Sequence, residues 1–68
     1  MTIELNGETR EVREGATVAA ALGLLDLPPD ARGVAVAVDA EVVPRGQWSE
    51  RALTAGARVE VLTAMQGG

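Results

Sequence analysis

The sequence predicts an α+β domain in which one helix covers one face of a small mixed sheet, and three observations carry that prediction. Short segments that alternate apolar and polar residues flank an Asn6-Gly7 pair. A single stretch, residues 18–25, repeats its apolar residues at helical spacing. Two further β-type runs, Val34–Val38 and residues 58–62, come after it. One apolar helix stripe and several strand faces bury each other most economically as two packed layers. At 68 residues the chain makes one domain, near the lower size at which a core suffices without disulfides or metal.

Ile3 and Leu5 alternate with polar neighbours, Asn6-Gly7 signals a two-residue type I′ turn, and residues 9–12 return, so a hairpin with one buried face is expected over residues 2–12. Glu14-Gly15 breaks the strand. Thr17 is placed to cap a helix whose Val18, Ala21, Leu22 and Leu25 fall at i, i+3, i+4 and i+7, with Ala19, Ala20 and Gly23 outward. Leu27-Pro28-Pro29-Asp30 is expected to end that helix, because successive prolines remove donors and force an extended path. Beyond Gly33, larger and smaller apolar residues alternate through Val34–Val38, which predicts a central strand covered on both faces. Asp39-Ala40 reads as a turn, Glu41–Val43 as a short returning strand closed by Pro44, and residues 45–49 as irregular. Gly56 turns the chain into a last strand with Val59 and Val61 on one face and Arg58, Glu60 and Leu62 on the other. A right-handed crossover through the helix brings a later strand parallel to an earlier one, but the pattern does not fix which strands pair.

Composition narrows the chemistry. With no Cys and no His, the chain lacks the usual zinc, copper and iron–sulfur ligands, a thiol nucleophile and an imidazole base. Lys and Tyr are absent as well, so the expectation is a protein that is not an enzyme and binds no cofactor of its own. Six Arg against ten acids give a net charge of −4, which argues against a phosphate-tracking nucleic-acid surface and fits a partner with a basic face or a merely soluble domain. The start has no basic segment followed by an apolar one, and the apolar runs fall well short of the ~20 residues a membrane span needs. A cytoplasmic protein, monomeric when free, is expected.

Gly67-Gly68 comes immediately after the strand-like run of residues 58–66. The reading is a domain over residues 1–64 and a flexible tail over 65–68. A tail without Cβ atoms can thread a channel too narrow for other residues, and a free α-carboxylate, ionised at neutral pH, can attack an activated phosphate. Gly68 is therefore the candidate reacting group, with Gly67 and Gln66 as the passage. Leu62, on the face opposite Val59 and Val61, either joins an apolar docking patch or packs beneath the helix or a loop. Met65 is a core-edge filler or a soft docking contact. Arg45 either meets an acidic partner surface or is solvated, solvation being the safer reading. Trp48, the one aromatic residue, is expected to close the core.

The Asn6-Gly7 hairpin, the Val34–Val38 strand, Glu41-Val42-Val43-Pro44-Arg45 followed by Trp48, then Gly56, Val59-Glu60-Val61 and the terminal glycines together resemble the ThiS sulfur carriers of thiamine biosynthesis over nearly the whole chain. The resemblance implies a β-grasp, ubiquitin-like fold whose last strand lies centrally and projects its tail. It also implies that an E1-like adenylating enzyme of the ThiF type uses ATP to activate the Gly68 carboxylate. Sulfur drawn from a cysteine desulfurase then makes a thiocarboxylate, which a ThiG-type thiazole synthase consumes, and the carrier contributes no catalytic side chain. Two turn positions depart from the pattern: Asp39-Ala40 stands where an Asn-Gly-like pair is usual, and Ala57 where Asp commonly follows the glycine. The small subunit of molybdopterin synthase is the alternative within the fold; a ubiquitin-like modifier and a plain interaction module are the alternatives in function.

Overall fold

The computed structural model describes residues 1–64. Strands β1 (Thr2–Leu5) and β2 (Glu8–Glu11) form the expected antiparallel hairpin, with Thr2 opposite Glu11 and Leu5 opposite Glu8. Asn6 and Gly7 join them with φ of 50° and 84°, the paired left-handed conformation of a type I′ turn. Ile3 and Leu5 point into the core, whereas β2 buries no residue fully, in keeping with a charged edge strand.

Helix α1 (Val18–Gly23) begins at Thr17, whose hydroxyl accepts the Ala20 N–H at 3.4 Å. The Val18 and Ala19 amides donate to the carbonyls of Arg51 and Trp48, each at 3.0 Å. First-turn donors that a helix leaves orphaned are thus satisfied by the segment crossing its start. The helix stops earlier than the prolines predict. It ends at Gly23, and Leu24 to Asp26 form a turn. The cause is Asp26, at φ 59°: the Leu27 N–H reaches back to the Leu22 carbonyl at 3.0 Å and the Asp26 N–H to that of Gly23 at 3.1 Å. This doubled bonding is a Schellman stop. Leu25 therefore lies beyond the helix and half-buried, while Val18, Ala21 and Leu22 make the buried stripe.

Strands β3 (Val34–Val38), β4 (Glu41–Val43) and β5 (Arg58–Thr63) complete a sheet ordered β2-β1-β5-β3-β4. Strand β5 runs parallel to β1, with Leu5 opposite Val59, and antiparallel to β3, with Val36 opposite Val61. Consequently β2 and β3 point the same way, and the helical crossover between them spans two intervening strands. The last strand is central, as the resemblance implied.

Strand β3 corrects a second expectation. It sits beside the centre and is covered on one face only: Val36 and Val38 are buried, Ala35 is exposed and Ala37 half-buried. The large–small alternation records one packed face and one open face furnished with alanine. The turn to β4 keeps two left-handed residues without glycine, Asp39 at φ 51° and Ala40 at φ 71°, and the Asp39 carboxylate accepts the Arg58 N–H at 3.0 Å. Residues 45–49 are less irregular than expected, since Arg45–Gln47 form a 3-10 turn that delivers Trp48 into the core. There the indole N–H donates to the Val43 carbonyl at 2.8 Å, so the one large aromatic closes the core with its polar atom satisfied. Around it pack Ile3, Leu5, Val18, Leu22, Val36 and Val59, between the helix and one sheet face.

Candidate functional site

Strand β5 is held from both sides, which fixes where the chain leaves the sheet. Towards β1, the Glu4 and Asn6 amides donate to the Ala57 and Val59 carbonyls, each at 2.9 Å. The Asn6 side chain extends that ladder one rung further, its Oδ1 accepting the Val61 N–H at 2.8 Å. Towards β3, pairing continues to Thr63 opposite Val34, and the Ala64 N–H then donates to the Gly33 carbonyl at 2.6 Å. Gly33 has φ of 70°, which glycine adopts without the penalty a Cβ would bring. Val59 and Val61 anchor the strand from below. The result is a firm mount for whatever follows Ala64. Met65, Gln66, Gly67 and Gly68, the residues read as docking contact, passage and reacting terminus, lie outside the described residues.

On the open face of the sheet Leu62 is 70% exposed. Of its two readings, burial beneath the helix or a loop is therefore excluded. Ala35 stands opposite Leu62, Ala37 opposite both Glu60 and Val42, and Val42 is 72% exposed. Residues directly opposite in an antiparallel pair share a face, so Leu62, Ala35, Ala37 and Val42 make an apolar strip from the end of β5 to the β4 edge, with Glu60 beside it. The other half of this face is polar. Thr9, Glu11, Thr2, Glu4 and Arg58 stand there, the Thr2 hydroxyl bonds the Glu11 carboxylate, and Arg58 Nε lies 3.8 Å from Glu4 Oε2. Arg45, at the start of the 3-10 turn, is exposed and has no ion pair among the described residues.

Two contributors escaped the sequence reading. Val42 was legible as outward-facing from its alternation with Val43, but its place beside Ala37 and near Leu62 depends on strand order, which the pattern leaves open. Gly33 carried no signal beyond being a glycine before a strand. At the far end of the sheet Glu4, Asp39, Arg58 and Glu60 line a shallow charged hollow. Its arginine is engaged by Glu4 and its Asp39 by backbone. Among the described residues no three Asp, Glu, His or Cys side chains stand together in a way that could hold a metal ion. No described helix is long and apolar enough to cross a membrane.

Comparison with known proteins agrees with this architecture. The crystal structure of the thiamine biosynthesis protein ThiS from Geobacter metallireducens superposes with a TM-score of 0.79 at 30% identity, covering the whole of both chains. A solution structure of a thiamine biosynthesis protein from the same organism gives 0.76 at 29% identity, over all of this chain and 88% of that one. A thiazole synthase of Paramagnetospirillum magneticum is 35% identical over all 68 residues, which span only 20% of that relative's length. The five-stranded mixed sheet with one helix is thus the β-grasp arrangement expected. The sequence model of the ThiS family matches residues 3–68, and the chain belongs to that family of sulfur carriers.

Proposed function

We propose that this chain carries sulfur on its terminal carboxylate for thiazole formation in thiamine biosynthesis, as a protein cosubstrate and not as an enzyme. The observation that carries the reading is the central strand β5, clamped by Asn6 and Gly33 and continuing directly into residues 65–68, within a family match that includes Gly67 and Gly68. The Gly68 carboxylate attacks the α-phosphate of ATP on a ThiF-type adenylating enzyme, expelling pyrophosphate and forming an acyl adenylate. A persulfide whose outer sulfur comes from a cysteine desulfurase then displaces AMP to give an acyl disulfide. A thiol reductant cleaves its S–S bond, ending as a disulfide itself and leaving the thiocarboxylate that a ThiG-type thiazole synthase consumes. The thiazole synthase relative, a longer chain with a region similar to all of this one, supports that last partner. Carriage needs no side-chain catalyst, which suits a chain without Cys, His, Lys or Tyr.

The apolar strip ending at Leu62 is the proposed docking face, since it lies on the strand that leads to the tail. Four residues reach at most about 13 Å beyond Ala64 at 3.3 Å each, far enough to enter a recessed active site. Intact mass after incubation with the adenylating enzyme, ATP and a sulfur source tests the reading: an oxygen-to-sulfur mass gain at the C-terminus is expected, and adducts to other proteins instead would show a modifier. Gly67→Ala is expected to slow adenylation at least about tenfold with the unfolding transition unchanged. Activation of that variant at the wild-type rate would remove the narrow-passage argument.

A further inference from the structure

The arginines divide into two groups with different surroundings. Arg10, Arg51 and Arg58 stand 3.8, 3.2 and 3.8 Å from Glu8, Glu41 and Glu4. Arg13, Arg32 and Arg45 have no carboxylate partner among the described residues. Two of these three reach the same end of the sheet by separate routes. Arg32 precedes Gly33 and lines an open groove of about 480 Å³ together with Leu27, Pro28, Thr63 and Ala64, beside the point where β5 ends. Strand β4 runs antiparallel to β3 with Val43 opposite Val36. The chain past Val43 therefore heads for the start of β3, and Arg45 leaves the sheet near the level of Val34, the residue opposite Thr63. Arg13 lies at the other end, since Glu11 at the finish of β2 stands opposite Thr2 at the start of β1. In a chain of net charge −4, two arginines without a carboxylate partner among the described residues thus root at the end of the sheet where β5 finishes, Arg32 beside Thr63 and Arg45 across β3, past the β4 edge.

We propose that Arg32 and Arg45 dock against carboxylates on the rim of the channel through which the adenylating enzyme receives the tail. The proposal rests on the tail reading above and adds the surface that finds the channel. The anion they meet is the partner protein's and not the nucleotide's. Adenylation takes place at Gly68, four residues beyond Ala64 and at most about 13 Å from it, whereas the two arginines root at the end of the sheet itself, where the body of the carrier meets the partner. Guanidinium groups that are solvated before docking form rim contacts, and such contacts steer encounter and fix orientation more than they change the chemical step. The same groups account for how a net-acidic carrier approaches an acidic rim: within a Debye length of about 8–10 Å the local charge outweighs the distant total.

The test uses charge reversal with an internal control. Arg32→Glu, Arg45→Glu and Arg13→Glu change net charge equally, but only the first two alter the tail end. Binding to the purified ThiF-type adenylating enzyme is measured without ATP at low and physiological salt, and ATP-dependent mass gain is followed separately. Each tail-end reversal is expected to weaken binding about tenfold at low salt and raise KM with kcat within about twofold, while Arg13→Glu stays within about twofold of wild type. The double tail-end reversal is expected to flatten the salt dependence. Unchanged binding in both tail-end variants, or an equal loss in Arg13→Glu, would overturn the proposal. So would a fall in kcat with binding intact, which would place the arginines on the nucleotide. Unfolding curves of all variants, with Arg→Gln versions where a reversal perturbs the fold, separate docking from stability. Arginine-dependent binding without any mass gain would count against the tail chemistry alone.

Discussion

Asn6 combines a backbone role with a side-chain role, and substitution can part them. Its φ of 50° serves the hairpin turn, and its Oδ1 accepts the part-buried Val61 amide. Asn6→Gly keeps the turn but leaves that amide without its acceptor, a loss of about 1–3 kcal/mol, whereas Asn6→Asp keeps both roles and is expected to be near neutral. Urea unfolding followed by Trp48 fluorescence gives the difference, and faster exchange of the Val61 amide in Asn6→Gly locates it. The turn was legible because Asn-Gly is a local signal. The bond to Val61 was not, because its partners are 55 residues apart. Ala40 presents the opposite case, a residue whose local chemistry opposes its conformation at φ 71°. The left-handed region costs a non-glycine residue about 1–2 kcal/mol, partly offset by the greater unfolded-state entropy glycine would bring. Ala40→Gly is therefore expected to stabilise by about 0.5–1 kcal/mol and raise Tm by about 4 °C. An unchanged or lower Tm would mean that the turn holds Ala40 without strain.

The elements differ in how much of each was readable. The hairpin, the Thr17 cap and the outward Leu62 follow from local pattern, and all three are present. The helix end and the covering of β3 were misread, for one physical reason: both depend on what a segment meets after it leaves its own neighbourhood. Prolines are strong local stop signals, yet Asp26 and Leu27 had already closed the helix onto Leu22 and Gly23. Pro28 and Pro29 are thus bystanders to helix length. Replacing both by Ala is expected to leave the helix ending at Gly23, as read from backbone chemical shifts and amide exchange. Added helix beyond Gly23 would show that the prolines impose the stop. In β3, alternation of Val and Ala fits burial of both faces as well as it fits one open face, and only the single-helix inventory of this chain could have chosen between them.

At the scale of the whole molecule, a single buried layer leaves the second face of the sheet open among the described residues, and that face is sorted by polarity. Its β2–β1 half carries Thr9, Glu11, Thr2 and Glu4, and its β3–β4 half carries Ala35, Ala37 and Val42. Strand β5 lies between the two halves, with Arg58 and Glu60 leading to Leu62. Solvation alone would not separate the two kinds of residue, and two large apolar side chains, more than two-thirds exposed on the same half, are best accounted for by a partner that covers them. Neither Leu62 nor Val42 contributes to the core, so a double Leu62→Ser and Val42→Ser variant is expected to unfold within about 0.5 kcal/mol of wild type. If the adenylating enzyme buries the strip, the same variant loses about 2 kcal/mol of binding, roughly thirtyfold in affinity. Its loss should persist at high salt, where contacts made by Arg32 and Arg45 fade. Thr9→Ser on the polar half serves as the control. Equal binding by the double variant and wild type would assign the strip to another partner, with thiazole synthase the next to test by the same pair of measurements.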